Sequence, residues 1–415
     1  MTLKKKKILW ISHLVPYPPK GGVLQRSFNL LKEVSKEFDV HLVSFVQKKL
    51  ITTHYENYDA GIEDCKSNLL KFCSQVDFFE IPQETIKYGK YITGISGLFS
   101  LYGYNIAWLR STSFKKHLET ISYQFDLVHF DTISLAIYID IFPGTKKILD
   151  HHNIESHMLL RRSENESSIV KKAYFYVEGK KLEKFERKVV NEFSLNITCS
   201  ELDSERLLSI APGAVIESIP NGVDIDYFHP LKKRQNPNPE NFKIIFAGRL
   251  NAYTNDQAAK YIAFELWPRI RMEFPGAKLY LVGQNPSEEI IQRLKTDERF
   301  FITGFVDDIR TYIDEADIYI CPITDGGGTK LKVLDALAMG IPLLANKIAC
   351  EGIETVEDES VLYSNNTQQY LDNISVLIKN PEKYQLFSSS GLNLVKNQYT
   401  FLEIGRVLTK AYLEL

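Results

Sequence analysis

Three consecutive glycines followed by two lysines form the strongest chemical signal in the sequence. They come directly after an apolar run typical of a buried strand and lead into a helical pattern. Glycines let successive backbone N–H groups point at one anion, and a helix start adds partial positive charge. Lysines are disfavoured at the N-terminal end of a helix, so their presence here indicates a bound anion. Asp335, about one turn further along, is placed to accept hydrogen bonds from sugar hydroxyls. The predicted phosphate-binding loop and helix comprise Gly326, Gly327, Gly328, Thr329, Lys330, Lys332 and Asp335.

Two further glycine-containing turns could bind phosphate. Gly248 and Arg249 directly follow the apolar run Lys243–Ala247, and an arginine can donate two parallel hydrogen bonds to phosphate oxygens. In the N-terminal half, Gly21 and Gly22 stand between a first strand and a helix, where the backbone can approach a ligand closely. Neither turn has the G-x-G-x-x-G spacing of a dinucleotide-binding motif, which argues against a nicotinamide dehydrogenase.

Histidines and carboxylates cluster in Asp150–His157, directly after another apolar run. At a strand end, His152 is placed to bind a substrate or carry a proton. The alternative is a structural histidine that caps a helix or belongs to the core. The cluster and the pair Asp224 and Asp226 also contain metal-ligand types. Because no other residues complete either set with recognisable spacing, we expect no metal and no cofactor.

The elements that position these residues alternate regularly along the chain. Short, nearly continuous apolar runs are typical of strands buried on both faces, and helical patterns separate them. This alternation predicts an α/β protein with two doubly wound, Rossmann-like domains facing a cleft, with ligands bound beyond the carboxyl ends of the strands. The expected strands are Ile8–Ser12, Val40–Phe45, Leu127–Phe130, Lys147–Leu149, Leu195–Cys199, Lys243–Ala247, Lys278–Val282, Phe300–Thr303, Ile318–Cys321, Pro342–Ala345 and Ser360–Tyr363.

Composition narrows the function classes. The chain has 415 residues, which favours two domains, and its net charge of −2 makes nucleic acid an unexpected partner. Five cysteines without paired spacing argue against disulfides and zinc and fit the cytoplasm. The stretch Tyr91–Leu109 carries no formal charge, and its polar residues and glycines argue against a membrane span. Together with Lys4–Lys7, it suggests peripheral contact with the inner face of the membrane; a buried segment is the alternative.

Several short segments share one pattern of glycine, proline and charged residues. They are Ile219–Asp224, Phe246–Leu250, Leu281–Gly283, Thr303–Asp308, Ala316–Asp317, Gly326–Ala336 and Met339–Pro342, with looser matches at Gly21–Gly22, His152–Ser156 and Ser200–Glu201. In these segments the sequence resembles glycosyltransferase family 4, a family of retaining enzymes with the GT-B fold. The resemblance is specific over residues 218–355 and weak over 50–125 and 356–415.

The resemblance implies a domain organisation and a reaction. Residues 1–215 would form an acceptor-binding domain completed by a C-terminal helix at 399–415, and residues 216–398 would bind the nucleotide sugar. The reaction would move a sugar, of the hexosyltransferase type, from a nucleotide-diphosphate sugar to an acceptor hydroxyl in polysaccharide, lipopolysaccharide or glycolipid synthesis. A GT-B nucleotide-sugar epimerase and a non-catalytic nucleotide-sugar-binding protein are the alternatives.

The family pattern also implies roles for individual residues. The chain departs from it at the usual glutamate pair, where Gly327 and Asp335 stand, and at the usual lysine, where Thr254 stands. It resembles a subgroup in which the Gly-Gly-Gly-Thr-Lys-x-Lys loop supplies the positive charge. The implied catalytic residues are Arg249, Lys330 and His152; the implied donor-binding residues are Gly21, Gly22, Gly248, Gly326, Gly327, Gly328, Thr329, Lys332 and Asp335; and the implied acceptor-side residues are Gln25 and Glu155.

Overall fold

The structure is a computed structural model of the chain. It describes residues 5–89, 93, 94, 97, 100, 102–166, 168–326 and 328–415. The described chain divides into two compact units. Unit 1 contains Met1–Ile219 and Ile404–Leu415, and unit 2 contains Pro220–Glu403. The sequence-based boundary lay at residue 215, and the division observed here follows Ile219.

Unit 1 is built on a seven-stranded sheet in which all neighbouring strands are parallel. The strand order is β3-β2-β1-β4-β5-β6-β7, so the chain starts in the middle, builds outward to one edge and then returns to build the other half. The strands are β1 (Lys7–Ser12), β2 (Asp39–Val46), β3 (Gln75–Glu80), β4 (Leu127–Phe130), β5 (Lys146–His151), β6 (Leu195–Thr198) and β7 (Ile216–Ser218).

Helices cover both faces of this sheet, as the crossover connections between parallel strands require. They are α1 (Gly22–Val34), α2 (Lys48–His54), α3 (Tyr58–Leu69), α4 (Pro82–Thr85), α5 (Tyr104–Trp108), α6 (Thr112–Ile121), α7 (Glu155–Asn165), α8 (Ile169–Val189), α9 (Glu201–Ile210) and the C-terminal α17 (Phe401–Glu414), most of which belongs to unit 1, with 3₁₀ turns at Ser122–Gln124, Ile133–Ile141 and Val190–Glu192.

Unit 2 repeats the same topology with six parallel strands in the order β10-β9-β8-β11-β12-β13. The strands are β8 (Phe242–Ala247), β9 (Ala277–Val282), β10 (Phe300–Ile302), β11 (Ile318–Cys321), β12 (Leu343–Ala345) and β13 (Leu362–Tyr363). The helices are α10 (Tyr253–Tyr261), α11 (Trp267–Glu273), α12 (Glu288–Leu294), α13 (Ile309–Glu315), α14 (Leu331–Ala338), α15 (Thr367–Lys379) and α16 (Pro381–Gln398), with a π turn at Ile262–Leu266 and a 3₁₀ turn at Lys347–Cys350.

The fold class expected from the sequence is confirmed, and the differences are local. The sequence reading missed β3 and β7, which lie at the two edges of the first sheet. In β3 the apolar residues do not form a continuous run, because an edge strand has a less buried environment.

The uncharged stretch Tyr91–Leu109 is described only in part. Ile106 and Leu109 are buried in the core of unit 1, and Tyr102 and Trp108 pack against that core. The described end of the stretch therefore favours the alternative of a buried segment over contact with a membrane. Phe99 and several of its neighbours lie outside the described residues. None of the helices in the described ranges combines the length and apolarity that a bilayer crossing requires.

Candidate functional site

Each sheet has a point at which the strand order reverses, and the candidate residues gather at these two points. In unit 1 the reversal lies between β1 and β4, and in unit 2 it lies between β8 and β11. Neighbouring connections leave the sheet in opposite directions there and open a crevice at the carboxyl ends of the strands. Candidate residues follow directly after β1, β4, β8 and β11.

Two glycines meet where β8 and β9 end. Gly248 has φ 154° and Gly283 has φ 145°, and a Cβ on Gly283 would lie 1.8 Å from the carbonyl oxygen of Gly248. Only glycine allows this close approach. Arg249 follows with an exposed side chain, and its carbonyl oxygen accepts a hydrogen bond of 2.9 Å from Asn255 Nδ2. The turn thus holds the backbone of Arg249 firmly and leaves its guanidinium at the surface.

The glycine loop after β11 is shaped by left-handed glycines and by Lys330. Gly326 has φ 98° and Gly328 has φ 67°, and the N–H of Gly326 donates to Asp325 Oδ1 at 2.6 Å. The ammonium group of Lys330 donates to the carbonyl oxygens of Gly326 and Gly328 at 2.8 and 3.0 Å. Lys330 therefore braces the loop that it was predicted to serve, and Gly327 lies outside the described residues.

Lys332 and Asp335 lie on α14, about one turn apart, and burial shifts the pKa of each toward its neutral form. Lys332 Nζ donates to Asn255 Oδ1 at 2.5 Å and stands 4.5 Å from the centre of the Phe246 ring. Burial lowers the pKa of Lys332. Burial also raises the pKa of Asp335, although the nearby Lys332 opposes that change, and Asp335 Oδ1 is buried without a hydrogen-bond partner among the described residues. Asp335 thus has unused capacity to accept a hydrogen bond.

A pocket of about 320 Å³ lies beside the glycine loop within unit 2. It reaches the carboxyl ends of β11, β12 and β13, and Thr254, at the position of the usual family lysine, forms part of its wall. A Cβ on Gly326 would lie 3.1 Å from Thr254 Cγ2, so the pocket touches the loop directly. Its walls are mainly polar and aromatic, and include Thr254, Tyr261, Thr324, Asp325, Asn346 and Ser364.

In unit 1, Asp131 is the centre of a buried group of polar side chains. It follows β4 directly and accepts hydrogen bonds from Ser12 Oγ at 2.7 Å and from Ser27 Oγ at 2.9 Å. His152 Nε2 lies 3.0 Å from its other oxygen. Burial alone would raise the pKa of the Asp131 carboxyl, but the surrounding histidines, led by His152, hold it well below its usual value.

Two histidines beside Asp131 have opposite pKa shifts. Burial lowers the pKa of both rings, but the Asp131 carboxylate outweighs burial at His152 and raises its pKa above 6.5. At His13, which lies 3.9 Å from Asp131, burial dominates and lowers the pKa to about 4. The pair therefore combines one ring that holds a proton readily with one that stays neutral, which is a suitable arrangement for binding hydroxyl groups.

An ion pair between Arg26 and Asp150 anchors α1 to the end of β5. Arg26 Nε and Nη2 donate to the two carboxylate oxygens at 3.0 and 3.1 Å, and both side chains are buried. Burial opposes the charge on each group, but the partner outweighs it, so the pKa of Arg26 is raised and that of Asp150 is lowered. The pair fixes the start of α1 against the segment that carries His152.

The other predicted residues of unit 1 lie at the starts of two helices. Gly21 precedes α1 with φ 111°, and Gly22 and the half-buried Gln25 lie in the first turn of that helix. Glu155 begins α7 and accepts hydrogen bonds from Thr132 Oγ1 at 2.7 Å and from Asn105 Nδ2 at 2.9 Å. Its carboxylate therefore has a positioning role in addition to any contact with substrate.

Possible metal ligands occur in three groups of the described residues. In each group, single ligand atoms lie within 4.8 Å of one another. The closest atoms already bind each other, as in the 2.6 Å contact between His41 Nε2 and Asp77 Oδ2. Asp224 Oδ1, in the other sequence candidate, accepts the N–H groups of Asp226 and Tyr227 and so shapes a turn. The three groups are His13, Asp131 and His152; His41, Asp77 and His117; and His129, Asp131 and Asp150.

Asp131 is the residue that sequence reasoning missed most clearly. It directly follows a strand that the sequence predicted, so the rule that ligand-binding residues stand just after strands could have found it. The buried position of Arg26 was also missed, because an arginine inside a helical pattern is normally expected at the surface. Its burial depends on Asp150, which lies 124 positions further along the chain.

Known proteins resemble this chain over part or most of its length. Residues 241–380 match the family model described as glycosyl transferases group 1. A Klebsiella pneumoniae protein described as an uncharacterized 44.6 kDa protein in the cps region is 23% identical over 95% of this chain and 96% of its own length. Phosphatidyl-myo-inositol mannosyltransferase of Mycobacterium tuberculosis is 27% identical over 33% of this chain and 36% of its own length.

Solved structures match the fold over nearly the whole chain. HepE from Anabaena, solved with UDP and glucose, has a TM-score of 0.66 at 15% identity and covers 99% of this chain and 100% of its own. Sucrose-phosphate synthase from Thermosynechococcus elongatus has a TM-score of 0.69 at 14% identity and covers 99% of both chains. These neighbours show that the chain shares their fold, and the family model matches residues 241–380.

Proposed function

We propose that this chain, whose residues 241–380 match glycosyl transferases group 1, is a retaining glycosyltransferase of family 4 and of the hexosyltransferase type. Its donor would be a nucleotide-diphosphate sugar, and its acceptor a hydroxyl of a growing polysaccharide, lipopolysaccharide or glycolipid. The observation that carries the proposal is the position of Arg249 and the glycine loop at the two carboxyl ends that flank the strand-order reversal of unit 2. The UDP and glucose bound to HepE support this class of donor.

In the proposed reaction, the acceptor oxygen forms a bond to the anomeric carbon on the face that the diphosphate leaves. The bond between that carbon and the diphosphate oxygen breaks, and the acceptor proton passes to the leaving diphosphate. Negative charge grows on the diphosphate, and fixed cations and N–H groups lower the barrier by stabilising it. Arg249, Lys330, Lys332 and the loop amides would supply that stabilisation, so the reaction would need no metal.

Unit 1 would bind the acceptor in this proposal. His152 would orient a sugar hydroxyl, with its proton held by Asp131 at 3.0 Å. Gln25 and Glu155 would stand on the acceptor side, whereas Gly21 and Gly22, at the start of α1, would offer backbone N–H groups to the donor. The five cysteines are all buried and free, which fits the proposed cytoplasmic location.

The test is a two-stage screen of the purified protein. Nucleotide sugars are first compared by thermal shift, because a ligand that binds the native state raises its melting temperature. The best donor is then incubated with and without a lipid extract as acceptor, and the products are separated. Sugar transfer only with acceptor supports the proposal. An isomerised nucleotide sugar without acceptor would identify an epimerase, and binding without any turnover would identify a non-catalytic binding protein.

A further inference from the structure

Helix α8 (Ile169–Val189) turns one side to solvent along its whole length. From Glu178 onward its other side is buried, through residues such as Leu182 and Phe185. The helix packs against α7 so closely that a Cβ on Gly179 would lie 2.9 Å from the side chain of Leu160. The second half of the helix is therefore firmly packed, and the first half continues the same helix with residues 169–173 exposed.

The first half of this exposed side is apolar. Ile169 and Val170 are 83% and 79% exposed, which is unusual for two adjacent aliphatic side chains, and Tyr176 and Val177 are also exposed. Successive helical residues are turned by about 100°, so these four side chains and Ala173 share an arc of about 120°. Five residues on one arc make an apolar patch rather than scattered single residues.

The second half of the same arc is basic. Lys180, Lys184, Arg187 and Lys188 are exposed and fall on the side that carries the apolar patch. Residues 161–188 contain nine Lys or Arg and five Glu, whereas the whole chain has a net charge of −2. Two of these glutamates, Glu178 and Glu186, are buried and do not offset the surface charge, whereas Glu183 pairs with Lys180 and Arg187.

We propose that this side of α8 docks onto the surface of an anionic lipid bilayer. At 1.5 Å per residue the apolar and basic halves each run for about 12 Å along one line, so both can lie in the plane of a bilayer at once. The apolar side chains would enter the boundary between headgroups and acyl chains, and the lysines would contact lipid phosphates. Docking would bring the proposed enzyme to a lipid-linked acceptor, but it follows from the surface and holds whether or not the chain transfers sugar.

Vesicle flotation tests the proposal with the whole chain and without any donor or acceptor. The vesicles contain phosphatidylcholine alone or with phosphatidylglycerol, at low and high salt. We expect the protein to float with the anionic vesicles and less so at high salt. The double variant Ile169→Ser with Val170→Ser should lower the bound fraction about tenfold or more. Lys184→Glu with Lys188→Glu should abolish the preference for anionic vesicles.

Matched controls lie in unit 2. Met272 is 74% exposed and Lys383 is exposed, so Met272→Ser and Lys383→Glu make the same kinds of change elsewhere and should float as the unchanged protein does. All the substituted side chains are on the surface, so the melting temperature should stay constant. As a second measurement, a Tyr176→Trp variant should show a blue shift of its fluorescence on anionic vesicles.

Three results would overturn the proposal. The first is a protein that does not float with any vesicles, together with a Tyr176→Trp variant whose fluorescence maximum does not change when vesicles are added. The second is flotation that Ile169→Ser with Val170→Ser leaves intact. The third is a dimer in solution that this double variant dissociates, because the patch would then join two copies of the chain. None of these results depends on turnover, so the proposed function is tested separately.

Discussion

The ammonium group of Lys332 occupies the space in which a side chain on Gly248 would begin. An ideal Cβ at Gly248 would lie 2.6 Å from Lys332 Nζ, and the φ of 154° is unfavourable for any other residue. The close contact joins the turn after β8 to the helix that follows the glycine loop, and Asn255 holds both through its hydrogen bonds to Arg249 and Lys332. The two sides of the proposed diphosphate site are thus one packed arrangement.

Gly248→Ala should lower the free energy of unfolding through two separable effects. Backbone strain should cost about 1–3 kcal/mol, and displacement of Lys332 should add to it. Lys332→Met removes the displaced ammonium group, so the double variant should be more stable than the sum of the two single changes predicts. Urea unfolding of the four proteins measures this coupling. Purely additive changes would show that the two residues do not press on each other.

Arg249→Ala should lower turnover without lowering stability. The guanidinium is exposed, so the fold loses little, but the proposed transition state loses about 2–4 kcal/mol of charge stabilisation, or roughly 30- to 1,000-fold in rate. Steady-state rates with the donor found by the screen measure the loss of turnover, and melting temperatures measure the stability. Arg293→Ala, another exposed arginine of unit 2, is the control. Unchanged turnover would remove Arg249 from the mechanism.

Lys330→Ala should affect both turnover and the glycine loop. The substitution removes a proposed diphosphate ligand and the two hydrogen bonds to the carbonyl oxygens of Gly326 and Gly328. We expect slower turnover by a similar factor and faster hydrogen exchange of the loop amides. If hydrogen exchange becomes faster while turnover stays constant, Lys330 has a structural role in the loop and no role in the reaction.

Turnover should continue without divalent metal. Arg249, Lys330 and Lys332 would supply the positive charge that a metal provides in other transferases. Rates measured after dialysis against EDTA, and again with added manganese or magnesium, test the expectation. Activity that disappears in EDTA and returns with manganese would instead direct attention to His13, Asp131 and His152.

Glu186→Gln should change how stability depends on pH. Burial raises the pKa of Glu186 from 4.5 to about 8, while Ser156 donates to its carboxyl group from both its backbone N–H and its hydroxyl. Because the folded-state pKa is the higher one, the favourable contribution is complete below about pH 4.5 and is lost as the pH rises towards 8. Glutamine keeps the neutral form throughout.

The difference in unfolding free energy between the Gln variant and the unchanged protein should therefore grow with pH. It should reach on the order of 5 kcal/mol above pH 8 in favour of the variant. Urea unfolding at a series of pH values for both proteins measures it. Parallel curves across this range would mean that Glu186 ionises normally in the folded protein.

The sequence by itself determined the architecture and the loop chemistry. Apolar runs alternating with helical patterns allow only parallel sheets with crossover helices, so fold class and most strands could be read directly. The sequence did not predict β3 and β7, because their half-buried residues do not form a continuous apolar run. The glycine loop could also be predicted from the sequence, because Gly326–Gly328 and the lysines that follow are close together in the chain.

Only the tertiary structure decided which distant residues act together. Asp131 joins Ser12, Ser27 and His152 although up to 119 positions separate it from them, and Arg26 finds Asp150 across 124 positions. No periodicity predicts such pairs, because parallel strands that neighbour each other in a sheet are far apart in sequence. The exposed side of α8 could not be predicted for the same reason. The sequence pattern shows which residues share a side of the helix, but only its packing against α7 and the sheet shows which side faces solvent.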